Sequence, residues 1–262
     1  SMTAHQLSAS KHKTPVGVMI GPGLLPQRAE ESDMAAEHTH NKTMKRRVAI
    51  LISGRGSNMT ALVNAAKSAN YPAEIALVIS NQPNATGLEF AQKAGLSTSV
   101  VSHADYEDRG AFENALNEEL KTQDIDYICL AGFMRLLTAE FVNRWKDRIL
   151  NIHPSLLPAF KGLDTHERAL ESGVRFSGCT VHFVRAEMDD GPIINQAVVP
   201  ILSDDTPETL AARILAQEHQ LYPEALRLVA SGQARVTDRI VQIGDTRDPA
   251  SPIINPPIED DD

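Results

Sequence analysis

Five short apolar runs recur along the chain at intervals that alternate with helical patterns. They are Arg47–Ile52, Glu74–Ser80, Ser97–Val101, Asp126–Ala131 and Arg148–Leu150. Runs this short and this uniformly apolar suit strands covered on both faces. Between them, Met59–Lys67, Gly87–Ala94 and Tyr106–Leu120 carry apolar residues at helical spacing, and Thr138 is placed to cap a short helix through Val142. Strand–helix alternation of this kind predicts an α/β fold with a doubly wound, mostly parallel, Rossmann-like sheet. After Pro158 the pattern changes. A helix is expected over Thr165–Ser172, and two β-rich runs follow, Gly178–Val184 and Ile193–Val199. Their closeness in sequence predicts an antiparallel pair joined by the polar loop Arg185–Pro192. Thr206–Val229 reads as one long helix with Pro207 at its first position, and Pro223 is expected to kink or divide it.

These elements delimit a domain over residues 46–236. Residues 1–45 lack sustained periodicity and read as a disordered extension, and the Pro- and Asp-rich tail 237–262 is expected to be loosely ordered.

In a doubly wound sheet, ligands bind beyond the carboxyl ends of the strands. Three polar features fall there. The first is Ser53-Gly54-Arg55-Gly56-Ser57-Asn58. A strand, a glycine turn and a helix start form a geometry that binds phosphate through backbone amides, although a plain tight turn would look the same. The second is Gly132–Leu137. The third is Asn151-Ile152-His153-Pro154. Asn151 and His153 stand two apart in an extended segment, so their side chains share one side. Pro154 keeps His153 out of the helical region. Taken singly, His153 can be structural, Asn151 a turn-former and Asp189 a solvated loop carboxylate. Together they make an imidazole, a carboxylate that would favour its charged form, and an amide able to bind a developing oxyanion. That set suits acyl transfer without a covalent enzyme intermediate, since no Ser or Cys sits in a G-x-S-x-G turn.

Composition narrows the picture. The formal net charge of −9 argues against a general nucleic-acid binder. Two cysteines, Cys129 and Cys179, lie in strand-like apolar runs and read as buried thiols, with no zinc or disulfide spacing. No apolar run approaches the roughly 20 residues of a membrane span, and no signal-peptide pattern opens the chain. A cytoplasmic protein acting on small molecules, without a metal, is the expectation.

The octapeptide Asn151–Pro158 resembles the signature of the folate-dependent formyltransferases. Ile50–Gly54 with Gly56–Asn58, Leu130–Arg135, Thr180–Val184 and Gln217-Glu218-His219 resemble further motifs of that family, in order and in register over about residues 46–236. The resemblance implies formyl transfer from 10-formyltetrahydrofolate to the amine of 5-phosphoribosylglycinamide (glycinamide ribonucleotide) in purine synthesis. It implies that Asn151, His153 and Asp189 are catalytic and that Gly56, Ser57 and Asn58 hold the phosphate, with Glu218 on the ribose. It also implies that Arg109, Met134, Arg135, Leu136, Leu137 and Asn151 meet the folate. It leaves monomer and homodimer open.

Four features depart from a familiar bacterial pattern. Arg55 replaces Asn, Asp190 replaces a Gly beside Asp189, Ala159-Phe160-Lys161 replaces Lys-Tyr-Pro, and Leu215 replaces a polar residue. Asp190 would either add charge near His153 or face solvent. The tRNA-acting sister branch carries an extra C-terminal domain and a basic surface, whereas this chain is acidic. The deformylase branch, which hydrolyses formyltetrahydrofolate, carries an N-terminal regulatory domain and His in place of Pro154. A deformylase-like hydrolase is the alternative within the family. A non-catalytic nucleotide-binding module is the alternative outside it, and would need the glycine loop but not the three polar residues together.

Overall fold

The computed structural model describes residues 44–244, 249 and 251–257. Residues 1–43, 245–248, 250 and 258–262, on which part of the reading of the extension and the tail rests, lie outside the described residues. The main sheet has seven strands: β1 (Arg46–Ile52), β2 (Ala73–Ser80), β3 (Thr98–Val100), β4 (Tyr127–Leu130), β5 (Ile149–His153), β6 (Phe176–Phe183) and β7 (Ile193–Pro200). Their order is β3-β2-β1-β4-β5-β6-β7. The first five are parallel, and β6 and β7 join antiparallel. The chain reverses its direction of sheet growth after β3, so a crevice opens beyond the carboxyl ends of β1 and β4.

Strand periodicity sorts the core onto two faces. Val48, Ile50 and Ile52 of β1 face one cluster with Met59 and Leu62 of α1 (Ser57–Ala66), Leu88 of α2 (Thr86–Lys93) and a later helix. Ala49 and Leu51 face the other, with Phe112 and Leu116 of α3 (Arg109–Thr122) and Phe141 of α4 (Ala139–Arg144). Both faces of the sheet are covered, as parallel strands require.

After α5 (Thr165–Glu171), the last helix, α6 (Pro207–Ala230), runs unbroken past Pro223. Proline removes one backbone donor, yet burial of Tyr222, Ala225 and Leu226 holds the helix on the sheet. Side chains also serve carbonyls at this point. Tyr71 Oη donates to Pro223 O at 2.7 Å, and Asn195 Nδ2 donates to Leu221 O at 3.2 Å. The Tyr222 hydroxyl lies 2.9 and 3.0 Å from the carbonyl oxygens of Leu130 and Leu150, fastening α6 to β4 and β5 together.

The tail reading needs correction. β8 (Ala234–Thr237) and β9 (Ile240–Ile243) form a hairpin across the expected boundary, turning at Asp238-Arg239, with Asp238 in the left-handed region at φ 56°. Val236, Val241 and Ile243 pack against the core. Farther on, Asn255 Nδ2 donates to the carbonyls of Arg175 and Ile201 at 2.6 and 3.0 Å. Cys129 and Cys179 are fully buried and unpaired. Burial pushes both thiols up to about 12, which removes them as nucleophiles. Among the described residues, no helix is long and apolar enough to cross a membrane.

Candidate active site

The glycine loop follows β1. Gly56 caps α1 with φ 65°, in the left-handed region that glycine enters without strain. A Cβ there would also meet Ile52 and Met59 at 3.2 Å. Gly87 lets α2 come close, since a Cβ would sit 2.9 Å from the carbonyl oxygens of both Gly54 and Arg55. Ser53–Asn58 line a cavity of about 320 Å³ with Ala131, Gly132 and Met134. The first amides of α1 are free of helical partners, so this pocket offers unpaired donors and a positive helix end.

Asn58 Nδ2 donates to Glu218 Oε2 at 2.7 Å, both residues being buried. Burial raises the Glu218 carboxyl above its ordinary value, with the Asn58 amide opposing. Glu218 therefore stands behind the glycine loop.

A second, larger cavity of about 900 Å³ shares Gly132 and Met134 with the first. Arg109, Arg135, Leu136, Leu137, Asn151, His153 and Asp189 all line it. Four apolar residues on its wall are well exposed: Met134 at 72%, Leu136 at 63%, Leu163 at 80% and Met188 at 56%. Exposed apolar surface gathered in one cavity suits a ligand with a substantial apolar part. The wall loop Gly132–Leu137 is pinned at both ends. Met134 N donates to Ser53 Oγ at 2.8 Å. Thr138 N donates to Glu113 Oε1 at 2.7 Å, and the Thr138 hydroxyl bonds the same buried carboxylate.

β5 runs further than the apolar pattern indicated, through His153, because β6 pairs with its last residues: Asn151 with His182, and His153 with Thr180. Asn151 and His153 thus sit on a strand, not a loop. His153 Nε2 donates to the carbonyl of Phe160 at 2.9 Å, and Nδ1 lies 3.5 Å from Asp189 Oδ2. Both ring nitrogens therefore face oxygen acceptors. Asp189, itself in the left-handed region at φ 52°, also accepts from Gly162 N at 2.9 Å.

The structure adds a residue to which the sequence reading gave no role. His182 is 2% exposed, with Nδ1 donating to Phe183 O at 3.1 Å and Nε2 at 3.3 Å from Asn151 Nδ2. Burial lowers its pKa, so it stays neutral and Nε2 accepts from the amide. A neutral His182 fixes which end of the Asn151 amide points into the site. Its spacing in Thr180-Val181-His182 was visible in the sequence; its register against Asn151 was not. His166 also lines the cavity, with Nδ1 buried and unpaired, and desolvation lowers its pKa.

The loop after Pro154 is held by Thr180. Its hydroxyl donates to Ser155 O at 2.7 Å, accepts from Leu157 N at 3.1 Å, and accepts from Gln196 Nε2 at 2.9 Å. The departures at positions 161 and 190 meet: Lys161 Nζ pairs with Asp190 Oδ1. Asp190 is therefore charge-compensated. Leu215 is partly exposed on α6 and belongs to neither cavity lining. No group of three or more His, Cys, Asp or Glu among the described residues is arranged to hold a metal ion.

A family model described as formyl transferase matches residues 46–226. The trifunctional purine biosynthetic protein adenosine-3 of Bos taurus is 47% identical over 206 residues, which cover 79% of this chain and 20% of that protein. The chain thus spans about a fifth of that relative. The phosphoribosylglycinamide formyltransferase of Escherichia coli K12 is 39% identical over 202 residues, covering 77% of this chain and 95% of that protein. The crystal structure of glycinamide ribonucleotide transformylase 1 from Symbiobacterium toebii superposes with a TM-score of 0.74 at 48% identity, covering 77% of this chain and 95% of that one.

Proposed function

This chain belongs to the formyl transferase family, and on that premise we propose that it transfers the formyl group of 10-formyltetrahydrofolate to the primary amine of phosphoribosylglycinamide. The observation that carries the reading is the meeting of Asn151, His153 and Asp189 on the wall of a cavity that abuts the glycine-loop pocket. The substrate phosphate sits on the amides of Gly56, Ser57 and Asn58 at the start of α1. Glu218 holds the ribose from behind this loop. The glycinamide arm crosses near Gly132 and Met134 and brings its amine to β5. The pterin lies in the larger cavity against Met134–Leu137, and Arg109 and Arg135 attract the anionic remainder of the folate.

The neutral amine attacks the formyl carbon, forming a new C–N bond and a tetrahedral oxyanion. The Asn151 amide, oriented by His182, donates to that oxygen. His153 supplies the second donor. Phe160 engages Nε2 at 2.9 Å, so the Nδ1 proton, whose contact with Asp189 is long at 3.5 Å, is the one shared with the oxyanion. Collapse breaks the bond to folate N10, and the proton lost by the amine arrives at that nitrogen through water. No step needs a metal ion or an enzyme nucleophile.

The test is to mix the purified protein with 10-formyltetrahydrofolate and follow folate conversion with and without phosphoribosylglycinamide. Acceptor-dependent conversion supports transfer. Conversion without the acceptor would make the chain a deformylase-like hydrolase, and no conversion in either arm would leave only a binding module.

A further inference from the structure

Two loops supply the contacts that orient His153. The loop 159–164 gives the Phe160 carbonyl to Nε2, and the loop 185–192 gives Asp189 to Nδ1. Two polar contacts join these loops: Gly162 N to Asp189 Oδ2 at 2.9 Å, and Lys161 Nζ to Asp190 Oδ1. Lys161 lies between the residue that holds His153 and the residue that holds Asp189. Asp190 follows Asp189 directly. Its other oxygen faces Arg239 Nη2 at 3.4 Å, from the turn between β8 and β9. The contact spans three separate segments, adjoining Asp189 on one side and Phe160 and Gly162 on the other.

We propose that Lys161 and Asp190 form a positioning pair that sets the distance between His153 and Asp189, and that Asp190 has the further task of keeping the Lys161 ammonium off Asp189. The inference rests on the catalytic reading above. Three features of the geometry support it. First, Asp189 is held at 3.5 Å from Nδ1, a long contact for a charge-assisted hydrogen bond, so a small shift of either loop alters it appreciably. Second, the backbone on both sides is already fixed. Arg168 Nη1 donates to the carbonyls of Lys161 and Leu163 at 2.7 and 3.1 Å, and its guanidinium lies 5.6 Å from the Phe160 ring centroid. The Lys161 side chain therefore has a fixed root and a short choice of carboxylates. Third, Asp189 is the carboxylate adjoining Asp190 in the chain, and its Oδ2 already meets the amide of the residue after Lys161, Gly162. Without Asp190, the ammonium can turn to Asp189 and compete with His153.

The two single variants are therefore unequal. Asp190→Ala frees a cation beside the catalytic carboxylate, whereas Lys161→Met removes the cation and leaves Asp190 with Arg239. Asp190→Ala should lower kcat on the order of 10-fold and Lys161→Met about 3-fold, within the penalty expected for sub-ångström misplacement. The double variant should return to the Lys161→Met level, so that removing the lysine suppresses the loss of the aspartate. KM for both substrates should stay within about twofold, because neither side chain lies in the glycine-loop pocket.

The experiment is steady-state formyl transfer by the full chain and the three variants, with melting temperatures measured on the same samples. A double variant slower than either single, a loss in KM alone, or singles that match the wild type would overturn the inference while leaving the transferase reading standing. A wild-type protein without acceptor-dependent turnover overturns both.

Discussion

Gly191→Ala is the most demanding test of how Asp189 is held. Gly191 closes the loop 185–192 directly before Pro192, whose carbonyl accepts from Phe183 N at 2.9 Å. A Cβ at position 191 would lie 1.5 Å from Phe183 O, 2.7 Å from its carbonyl carbon and 3.3 Å from His182 Nδ1. The obstacle is backbone at the end of β6, which is paired with β5 and β7 and cannot swing aside. Reaching even the 3.0 Å that real contacts respect requires a shift of at least about 1.5 Å. Asp189 lies two residues upstream and carries most of that shift. A displacement of about 1 Å at a catalytic group costs on the order of 10²-fold in rate, and the overpacked turn should lose about 1–3 kcal/mol of stability. The assay is acceptor-dependent folate conversion under saturating substrates, beside a thermal melt. Gly244→Ala is the control, because nothing lies within 4 Å of a Cβ there. A Gly191→Ala enzyme that keeps kcat within about threefold of wild type would show that Asp189 does not depend on this turn.

Three further outcomes follow from the site. His153→Ala and Asp189→Asn should each reduce kcat on the order of 10² to 10³-fold with the fold intact, and turnover close to wild type in either would sink the mechanism. Glu218→Gln should raise stability by about 1 kcal/mol at neutral pH, since burial disfavours the carboxylate and leaves Asn58 Oδ1 without a partner, while KM for the phosphoribosyl substrate rises; a lower melting temperature would contradict this. His182 is held neutral by burial below its ordinary value of 6.5, so the unfolded chain takes up a proton that the folded protein resists. Its contribution is complete above that value and declines as pH falls, with His166 adding the same sign. His182→Gln should therefore flatten the loss of stability between about pH 7.5 and 5.5 in urea titrations; parallel curves would refute it.

The sequence carried the fold where burial is repetitive. The five parallel strands, the antiparallel pair and the helices between them follow from apolar periodicity, because the central parallel strands are covered on both faces by helices that bury the same kinds of residue. Asn151 and His153 were also legible, since a two-residue spacing on an extended segment dictates a shared side. The pattern gave less where one residue's neighbours lie far along the chain. His182 reads as a core histidine until the β5–β6 register sets it opposite Asn151. The hairpin of β8 and β9 was hidden by the Pro- and Asp-rich composition that follows it. Pro223 signalled a break that the buried face of α6 overrides. Lys161 and Asp190 each departed from the family pattern alone, and only the folded loops show that the two departures compensate.

The catalytic groups differ in how firmly the fold holds them. Asn151 and His153 belong to a strand paired on both sides, with β4 and with β6, and Tyr222 ties its backbone to α6. Asp189 has no such support. β6 ends opposite Leu150, three residues before His153 along β5. The following loop must therefore run back about 10 Å, at the rise of a strand, to deliver its carboxylate. Its fixings are correspondingly local. They are the Arg185–Asp147 ion pair at its start, the Lys161–Asp190 pair and the Gly162 amide at its tip, and Gly191 against Phe183 at its end. Each holds one part of the return path. Substitutions at Asp190 or Gly191, which line neither cavity, should therefore lower kcat through the His153–Asp189 distance, while the phosphate pocket, built on β1 and the start of α1, keeps its affinity.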